Sequence, residues 1–404
     1  MRLVTMRWID RNIGSPACFL FTAHRKIMEF LGRGKKTQAR SRRIAFIKLT
    51  EQGSTVLAAP AFKKAASLAG RDNLFLFVFP KSRPIFDLLE VVPSSNIIEI
   101  DPSTPGSFLG SFFRGVARAR REGIDTVIDM EFFARVGAVL AYLTGASKRV
   151  GLHTFTLEGP YRGDLFTHRL AYNPYLHMSW FFLSLVEAAG MAARGRYTPI
   201  PVPLPGDNPA LPVFRASEEE KTSALAKVES IKGSPAGRPL VIFNPKTDDL
   251  LPVRKWPREN YVALGRMINK AYPGATIVLT GIAREREKTG IIAGELDNAV
   301  NMAGETCLRE LLALYCASDV LVSSDSGPAL FAAMTPVRTI VLFGPETPAL
   351  FGVKDGKTEA IKAGLACSPC VSVYNHRDSR CRSGECMKSI TPEEVFRRVR
   401  AMLK

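Results

Sequence analysis

The feature that most constrains the fold is an alternation of short apolar segments with stretches of helical periodicity. In the first half of the chain the apolar segments read IAFIKL, NLFLFVF, NIIEI and TVIDM, and a candidate helix follows each. In the second half they read PLVIFNP, TIVLTG, AVNMAG, VLVSSD and TIVLFG. Strands that alternate with helices are typical of a parallel sheet with helices on both faces. The sequence therefore predicts an α/β protein with two doubly wound parallel-sheet domains.

A proline-rich stretch separates the two series of strands. It spans residues 197–214 and holds six of the chain's 27 prolines, a density that excludes a helix interior or a central strand and is typical of a semi-rigid linker. We predict an N-terminal arm (1–43), an N-terminal domain (44–196), this linker and a C-terminal domain (215–404). Ligands of open parallel sheets bind beyond the carboxyl ends of the strands, so we expect two Rossmann-like domains that face each other across a cleft.

Positive charge is concentrated in the arm. Residues 1–43 contain eleven Arg and Lys against Asp10 and Glu29, a net of +9, so the remaining residues carry only +8 of the total of +17. Apolar residues recur there at helical spacing: Leu20, Ala23, Ile27, Phe30 and Leu31. We expect a basic amphipathic helix, packed either on an anionic membrane surface or on the protein itself. No apolar run approaches the roughly 20 residues of a membrane-spanning helix, and no signal peptide is expected.

Four of the seven cysteines are grouped near the C-terminus. Their spacing, Cys367-x2-Cys370-x10-Cys381-x4-Cys386, is close to a four-thiolate zinc pattern. An odd number of cysteines in a chain of this size favours a reducing compartment. Structural zinc, free or redox-labile thiols and disulfides remain alternatives, and in none of them is the group catalytic.

Two polar turns follow apolar strands in the C-terminal half. Asp325 comes directly after VLVSS, and FGPETP ends the next strand. Ser326, Gly327 and Pro328 are predicted to begin a helix, whose free N–H groups favour an anion or a hydroxyl-rich group. Alternatively, Asp325 or Ser326 is an ordinary helix N-cap.

These turns resemble a known family. SSDSGPALFAAMTPVRTIVLFGPETP resembles the hallmark of glycosyltransferase family 9, the lipopolysaccharide heptosyltransferase family, in which D-[ST]-G-P-x-H precedes a strand ending in F-G-P-T. FNPKTDDLLPVRKWPRENYVAL is similar to the family's K-x-W-P segment, and IAFIKLTEQGSTVLAAPAFKKA to its opening strand and G-D turn. The resemblance implies a GT-B fold, with the donor bound by the C-terminal domain and the acceptor by the N-terminal one.

The resemblance also implies an inverting transfer without a catalytic metal, in which cationic side chains neutralise the leaving diphosphate. Arg254 matches the family's phosphate-binding lysine, and Lys255 is adjacent, although both could be solvated surface charges. Asp325 is expected to accept hydrogen bonds from sugar hydroxyls, and Glu346 to reach a donor hydroxyl. The donor-binding candidates are Asn244, Lys246, Thr247, Arg254, Lys255, Asp325, Ser326, Gly327, Pro328 and Glu346.

The sequence departs from the family pattern in three places, one of which is the final turn FGPETP, one residue longer than the family's usual form. The G-D turn reads Gly53-Ser54 here, so the expected general base is absent, and a serine hydroxyl is not basic enough near neutral pH to replace it. Glu131, just beyond TVIDM, is the preferred candidate for the general base, and Glu51 is the second. The alternative for each is an acidic residue at a helix start that complements the helix dipole. The family's histidine is Leu330, which leaves the donor sugar open.

The acceptor-binding candidates lie in the N-terminal half. They are Lys48, Gly53, Arg135 and His177, and Arg162 is expected on the same side of the chain. The alternative for the histidine is a structural role. The alternative for isolated arginines is a solvated or salt-bridged position at the surface.

The leading hypothesis is a glycosyltransferase that moves a sugar from an ADP-heptose-like nucleoside diphosphate to a lipopolysaccharide or other cell-surface saccharide. It would be peripheral on the inner face of the inner membrane, with the nucleotide sugar as co-substrate and no cofactor for catalysis. The alternatives are a catalytically silent GT-B scaffold that binds nucleotide sugars or partner enzymes, and a nucleotide-sugar epimerase. Nucleic-acid binding is disfavoured, because the arm lacks interleaved aromatic residues.

Overall fold

The computed structural model describes residues 3–32, 41–153, 161–192, 197–200, 208–245, 251–374 and 379–404. The chain divides into two compact units, Met1–Ala210 and Leu211–Lys404. The division falls inside the segment predicted to be a linker. Each unit is an α/β structure with its own parallel sheet.

The first unit contains six strands and seven helices within its described residues. The strands are β1 (Ile44–Ile47), β2 (Leu74–Val78), β3 (Ile97–Glu99), β4 (Thr126–Asp129), β5 (Lys148–Leu152) and β6 (His168–Leu170). The helices are α1 (Leu3–Asn12), α2 (Gly14–Phe30), α3 (Gln52–Ala69), α4 (Arg83–Leu89), α5 (Pro105–Arg121), α6 (Arg135–Leu143) and α7 (Met178–Gly190). The sheet order is β3-β2-β1-β4-β5-β6, with all pairs parallel.

The second unit repeats this arrangement in its described part. Its strands are β7 (Leu240–Asn244), β8 (Thr276–Leu279), β9 (Ala299–Asn301), β10 (Val320–Ser324), β11 (Arg338–Phe343) and β12 (Thr358–Lys362). Its helices are α8 (Glu218–Lys232), α9 (Arg258–Ala271), α10 (Arg286–Gly294), α11 (Leu308–Cys316), α12 (Gly327–Ala332), α13 (Pro348–Phe351), α14 (Glu385–Lys388) and α15 (Pro392–Leu403). The order β12-β11-β10-β7-β8-β9 is the same Rossmann order as in the first unit.

The central strands are apolar because both faces of each sheet are covered. All residues of β1, β2, β7 and β10 are buried, as is typical of parallel sheets. In both sheets the order reverses next to the first strand, so β1 lies beside β4 and β7 beside β10. Ligands of this fold bind at that point, beyond the carboxyl ends of the strands.

The predicted N-terminal helix is present as α2, and it packs against α6 of the first unit. The buried residues of α2 are Cys18 and Thr22. The helix therefore packs on the protein's own surface, but the face that it buries is not the apolar face predicted from the sequence. None of the helices in the described ranges is long and apolar enough to cross a bilayer.

Candidate functional site

The carboxyl ends of β1 and β4 bring a glutamate against a main-chain loop. Ile47 is paired with Asp129 in the register of these strands, so the residues that follow both strands lie at one edge of the sheet. Oε1 of Glu131 accepts hydrogen bonds from the N–H groups of Leu49 at 2.7 Å and Thr50 at 3.0 Å. The Thr50 hydroxyl donates to Oε2 at 3.1 Å. Glu131 therefore holds the loop between β1 and α3.

Lys48 belongs to the same cluster. Its buried Nζ lies 3.9 Å from Oε1 of Glu131 and donates to the main-chain oxygen of Thr50 at 2.5 Å. Burial raises the pKa of Glu131, while Lys48 and the Thr50 N–H act in the opposite direction. A raised pKa suits a general base, but donors already occupy both oxygens of Glu131. Lys48, predicted to bind the acceptor, is engaged inside the unit.

A buried ion pair lies next to this loop. Arg162 is fully buried, pairs with Oδ2 of Asp129, and donates to the main-chain oxygen of Ala134 at 2.7 Å. Oδ1 of Asp129 accepts the Glu131 N–H at 3.0 Å. A Cβ atom at Gly137 would lie 2.6 Å from Oδ2 of Asp129, so glycine is required there. Burial raises the pKa of Asp129, against the effect of Arg162. Arg162, expected on the acceptor side, fixes the end of β4 through these contacts.

Glu51 is exposed at the rim of the same loop. It precedes α3 with φ 65°, a left-handed conformation that costs a non-glycine residue of the order of 1 kcal/mol and often occurs at functional sites. The buried Ser54 hydroxyl lies 3.0 Å from the main-chain oxygen of Glu51 and 3.2 Å from its Oε2. The carboxylate of Glu51 is thus held beside buried Gly53 and Ser54, where the family 9 pattern has its G-D turn.

Two other predicted acceptor residues make structural contacts. Nε of buried Arg135 donates to the main-chain oxygen of Tyr161 at 2.9 Å, and Nη1 lies 3.3 Å from Oδ2 of Asp10. Nδ1 of His177 accepts the Ser179 N–H at 3.3 Å and caps α7. These contacts correspond to the salt-bridged and structural alternatives, and the acceptor-binding roles of both residues stay predictions.

In the second unit, three charged side chains meet at the carboxyl edge of the sheet. Asp325 follows β10, Glu346 follows β11, and Arg254 lies between β7 and α9. Nη2 of Arg254 lies 3.3 Å from Oε2 of Glu346 and 3.6 Å from Oδ2 of Asp325. All three residues are buried: Arg254 is 9% exposed, Glu346 3% and Asp325 8%. The structure therefore brings together three of the predicted donor-binding residues.

Two polar atoms of this cluster lack a hydrogen-bond partner within the described part of the chain. They are Nε of Arg254 and Oδ2 of Asp325. A buried polar atom without a partner costs about 1–3 kcal/mol, so such atoms are typical of a site whose ligand supplies the partner. The guanidinium needs an acceptor and the carboxylate a donor. A phosphorylated sugar carries both groups.

The remaining donor candidates occupy different positions. Asn244 is buried at the end of β7, and its side chain donates to the main-chain oxygen of Thr280 at 3.2 Å. Lys255 is partly exposed next to Arg254. Lys246 and Thr247 lie outside the described residues.

The Ser326-Gly327-Pro328 turn begins α12 as predicted. Ser326 is the N-cap, but its side chain caps no N–H group, and its hydroxyl lies 3.2 Å from that of Ser323. α12 is only six residues long, and the guanidinium of Arg254 is the cationic group that pairs with both carboxylates of the cluster.

Trp256 anchors the segment that contains Arg254. The indole is 2% exposed, donates to the main-chain oxygen of Ile390 at 2.8 Å, and packs edge-on against Tyr261 with 4.7 Å between ring centroids. It therefore fixes the Arg254 segment to the chain just before α15. No role was predicted for this side chain from the sequence, although a tryptophan two residues after a candidate site arginine was a usable signal.

No disulfide joins the C-terminal cysteines in the described part of the chain. Cys367, Cys370 and Cys381 are exposed and Cys386 is buried. Hydrogen bonds from the Gly384 and Ser383 segment lower the pKa of Cys381, and burial raises that of Cys386. Within the described ranges, no group of three or more His, Cys, Asp or Glu residues is arranged to hold a metal ion. The charges of Cys367, Cys370 and Cys381 also raise the pKa of Cys386, so the four thiols lie near one another, and the zinc alternative stays a prediction.

A sequence model of glycosyltransferase family 9 (heptosyltransferase) matches residues 114–379, about two-thirds of the chain. The chain belongs to glycosyltransferase family 9. Among curated family 9 proteins, lipopolysaccharide heptosyltransferase 2 of Salmonella typhimurium is 32% identical over 143 residues. That alignment covers 34% of this chain and 39% of the relative, so the chain spans about two-fifths of the length of such curated relatives.

Solved family 9 structures match nearly the whole chain. The E. coli ADP-heptose LPS heptosyltransferase II has a TM-score of 0.68 at 20% identity, covering 89% of this chain and 98% of that one. The E. coli heptosyltransferase WaaC with ADP has a TM-score of 0.60 at 16% identity, covering 89% and 99%. At these identities the likeness concerns the fold. The family 9 chain described here has the GT-B architecture, with a six-stranded parallel sheet in each of two Rossmann-like units.

Proposed function

We propose that the protein is a glycosyltransferase that moves a sugar of the heptose class from an ADP-activated donor to a saccharide of the lipopolysaccharide type. The observation that carries the proposal is the buried Arg254–Asp325 pair in a family 9 chain, with one polar atom on each side chain that has no hydrogen-bond partner among the described residues. Support for the donor comes from relatives named lipopolysaccharide heptosyltransferase 2 and from a family structure that contains ADP.

In the proposed donor site, the guanidinium of Arg254 stabilises the negative charge that develops on the leaving diphosphate. Preorganised positive groups of this kind contribute strongly to catalysis, because they need no rearrangement as the charge forms. Oδ2 of Asp325 accepts a hydrogen bond from a sugar hydroxyl. Glu346 shares the guanidinium with the donor and orients it.

We assign the general base to Glu51 rather than to Glu131. Glu51 is exposed next to Ser54, whereas Glu131 uses both oxygens to hold the loop. Glu51 takes the proton from the acceptor hydroxyl as that oxygen bonds to the anomeric carbon. The bond from this carbon to the diphosphate breaks, and the nucleoside diphosphate leaves with the electron pair. The configuration at the anomeric carbon is inverted.

The test compares Glu51→Gln, Glu131→Gln and the double variant Glu51→Gln/Ser54→Asp in transfer from ADP-heptose to a deacylated lipopolysaccharide core acceptor. Glu51→Gln should lower kcat about 10²- to 10⁴-fold, the usual contribution of a general base, without changing the affinity for ADP. Ser54→Asp in that background should restore part of kcat, because it returns a carboxylate to the family's position. Glu131→Gln should affect thermal stability and KM more than kcat.

An unchanged kcat in Glu51→Gln would refute the assignment of the base. The absence of Asp at Ser54 favours one competing function, a catalytically silent scaffold that binds nucleotide sugars. Wild-type protein that binds ADP-sugars but transfers none of them to any core acceptor would support the scaffold. Failure to bind any nucleoside diphosphate would contradict both.

A further inference from the structure

An apolar stripe runs along the outer face of α2. Its residues recur at helical spacing and are far more exposed than is usual for such side chains: Phe19 (64%), Leu20 (64%), Ile27 (58%), Phe30 (90%) and Leu31 (56%). A scattered exposed leucine is ordinary, but a contiguous apolar patch marks an interaction site. We call these five residues the α2 stripe.

The opposite face of α2 is fixed to the first unit. The Thr22 hydroxyl accepts the Asp164 N–H at 2.8 Å, and Arg25 pairs with the carboxylate of Asp164 at 2.5 Å. Nδ1 of His24 lies 2.7 Å from the hydroxyl of Tyr142 in α6. The α2 stripe therefore cannot turn inward without breaking these contacts, and the fold presents it to the surroundings.

α1 continues the same surface. Ile13 lies between α1 and α2, and its N–H donates to the main-chain oxygen of Ile9 in α1 at 2.8 Å. The helical hydrogen-bond pattern of α1 therefore extends into the junction with α2. The carboxylate of Asp10 accepts the Val136 N–H at the start of α6 at 3.0 Å. Trp8 is 60% exposed, and tryptophan is favoured at membrane–water interfaces, where one end of the ring is apolar and the other polar.

Charge decides which occupant fits this surface. Arg7, Arg11 and Lys26 are exposed on the same two helices, and residues 1–43 have a net charge of +9. A second copy of the chain would bring two such segments together, with repulsion between them. An anionic bilayer offers a negative surface for the basic residues and an apolar layer for the stripe.

We propose that α1 and α2 dock the protein on an anionic lipid bilayer, with the α2 stripe inserted at the boundary between headgroups and acyl chains. Because α2 packs on α6, docking holds the first unit, which carries Glu51 and Glu131, at the lipid surface. The inference is independent of which sugar is transferred, since it rests on the surface of the helices alone.

The test measures sedimentation of the full chain with vesicles of phosphatidylglycerol and phosphatidylethanolamine, and with vesicles of phosphatidylcholine. Leu20→Ser/Phe30→Ser removes two members of the α2 stripe. The matched control is Leu109→Ser/Phe113→Ser, which removes the same residue types from exposed positions of α5. The stripe variant should bind anionic vesicles about tenfold or more weakly than wild type, and the control should bind as wild type does. Added salt should weaken wild-type binding by screening.

Equal binding by the stripe variant and wild type, or no preference of wild type for anionic vesicles, would overturn the proposal. The proposal would also be overturned if the wild type did not bind vesicles and formed a dimer, while the stripe variant was monomeric. In that case a second copy of the chain would occupy the α2 stripe. Transfer to a deacylated acceptor is measured in parallel. It should be unchanged in the stripe variant, so that failure of lipid docking and failure of the proposed transferase activity remain distinct.

Discussion

Glu51 and Glu131 both follow strands at the carboxyl edge of the first sheet, but their neighbours differ. Glu131 is surrounded by N–H and hydroxyl donors from the loop after β1. Glu51 is exposed, and the Ser54 hydroxyl donates to its carboxylate. A buried carboxylate that holds a loop is poorly placed to take a substrate proton, whereas an exposed one is accessible to the substrate. This contrast underlies the proposed assignment of the base.

Glu346 allows a prediction at the residue scale. Its carboxylate lies 3.3 Å from Arg254, with Asp325 on the same guanidinium, so two negative groups compete with a diphosphate for one cation. Glu346→Gln should therefore bind ADP more tightly, by roughly fivefold for the loss of one close charge. Isothermal titration calorimetry with ADP measures the effect.

The control is Glu359→Gln, which removes a carboxylate paired with Arg398 on the surface and should leave ADP affinity unchanged. If Glu346 also contacts a donor hydroxyl, the gain should be smaller for ADP-heptose than for ADP. Weaker ADP binding by Glu346→Gln would show that this carboxylate helps to hold the nucleotide and does not compete with it.

At the scale of elements, the segment between β7 and α9 is positioned by one side chain. Trp256 lies two residues after Arg254 and bonds to the main-chain oxygen of Ile390, which directly precedes the N-cap of α15. The orientation of the site arginine thus depends on how a distant part of the chain packs. Apolar burial and one hydrogen bond maintain this contact.

Trp256→Phe should lower the free energy of unfolding of the second unit by about 1–3 kcal/mol, because it deletes the hydrogen bond and leaves space beside Tyr261. It should also weaken ADP binding, since the Arg254 segment loses its support. Urea unfolding and calorimetry test the two effects. Trp8→Phe is the control, because that indole is largely exposed. If Trp256→Phe matched wild type in both measurements, the indole would not be what positions the arginine.

At the scale of the whole molecule, each unit has its own sheet and its own apolar core. In the second unit, Val395 and Val399 of α15 join the cluster that contains Phe243 and Trp256. All six of its strands lie between residues 240 and 362. The core of this unit is therefore assembled from residues that follow the division at Ala210.

We expect residues 211–404 to fold when expressed alone and to unfold cooperatively in urea, with ADP raising the midpoint by mass action. A shorter fragment, 211–388, lacks α15 and exposes the apolar surface that this helix covers. It should aggregate or unfold without a cooperative transition. Circular dichroism and light scattering distinguish the two fragments. An unfolded 211–404 would mean that the second unit needs the first for stability.

Nine of the twelve strands in the described structure were predicted, because apolar runs bounded by turn residues carry their signal locally. Each of the three missed strands, β5, β6 and β12, contains two charged or histidine residues, whereas none of the nine predicted strands contains more than one. In β5, Lys148 donates to the main-chain oxygen of Ala189 at 2.9 Å, and Arg149 to that of Leu165 at 2.7 Å. These partners make burial of the charges tolerable. They lie far away in sequence, so no local pattern could reveal them.

The sequence by itself determined the strand ends at which the site lies, because the carboxyl ends of parallel strands meet at one edge. It thereby indicated that Asp325 and Glu346 lie at one edge, and the resemblance to family 9 added Arg254. Only the tertiary structure decided that Glu131 is engaged while Glu51 is exposed, and that α2 packs through Cys18 and Thr22 with its apolar stripe outward. Periodicity depends on near neighbours in the chain. Burial and hydrogen-bond partners depend on residues that meet only after folding.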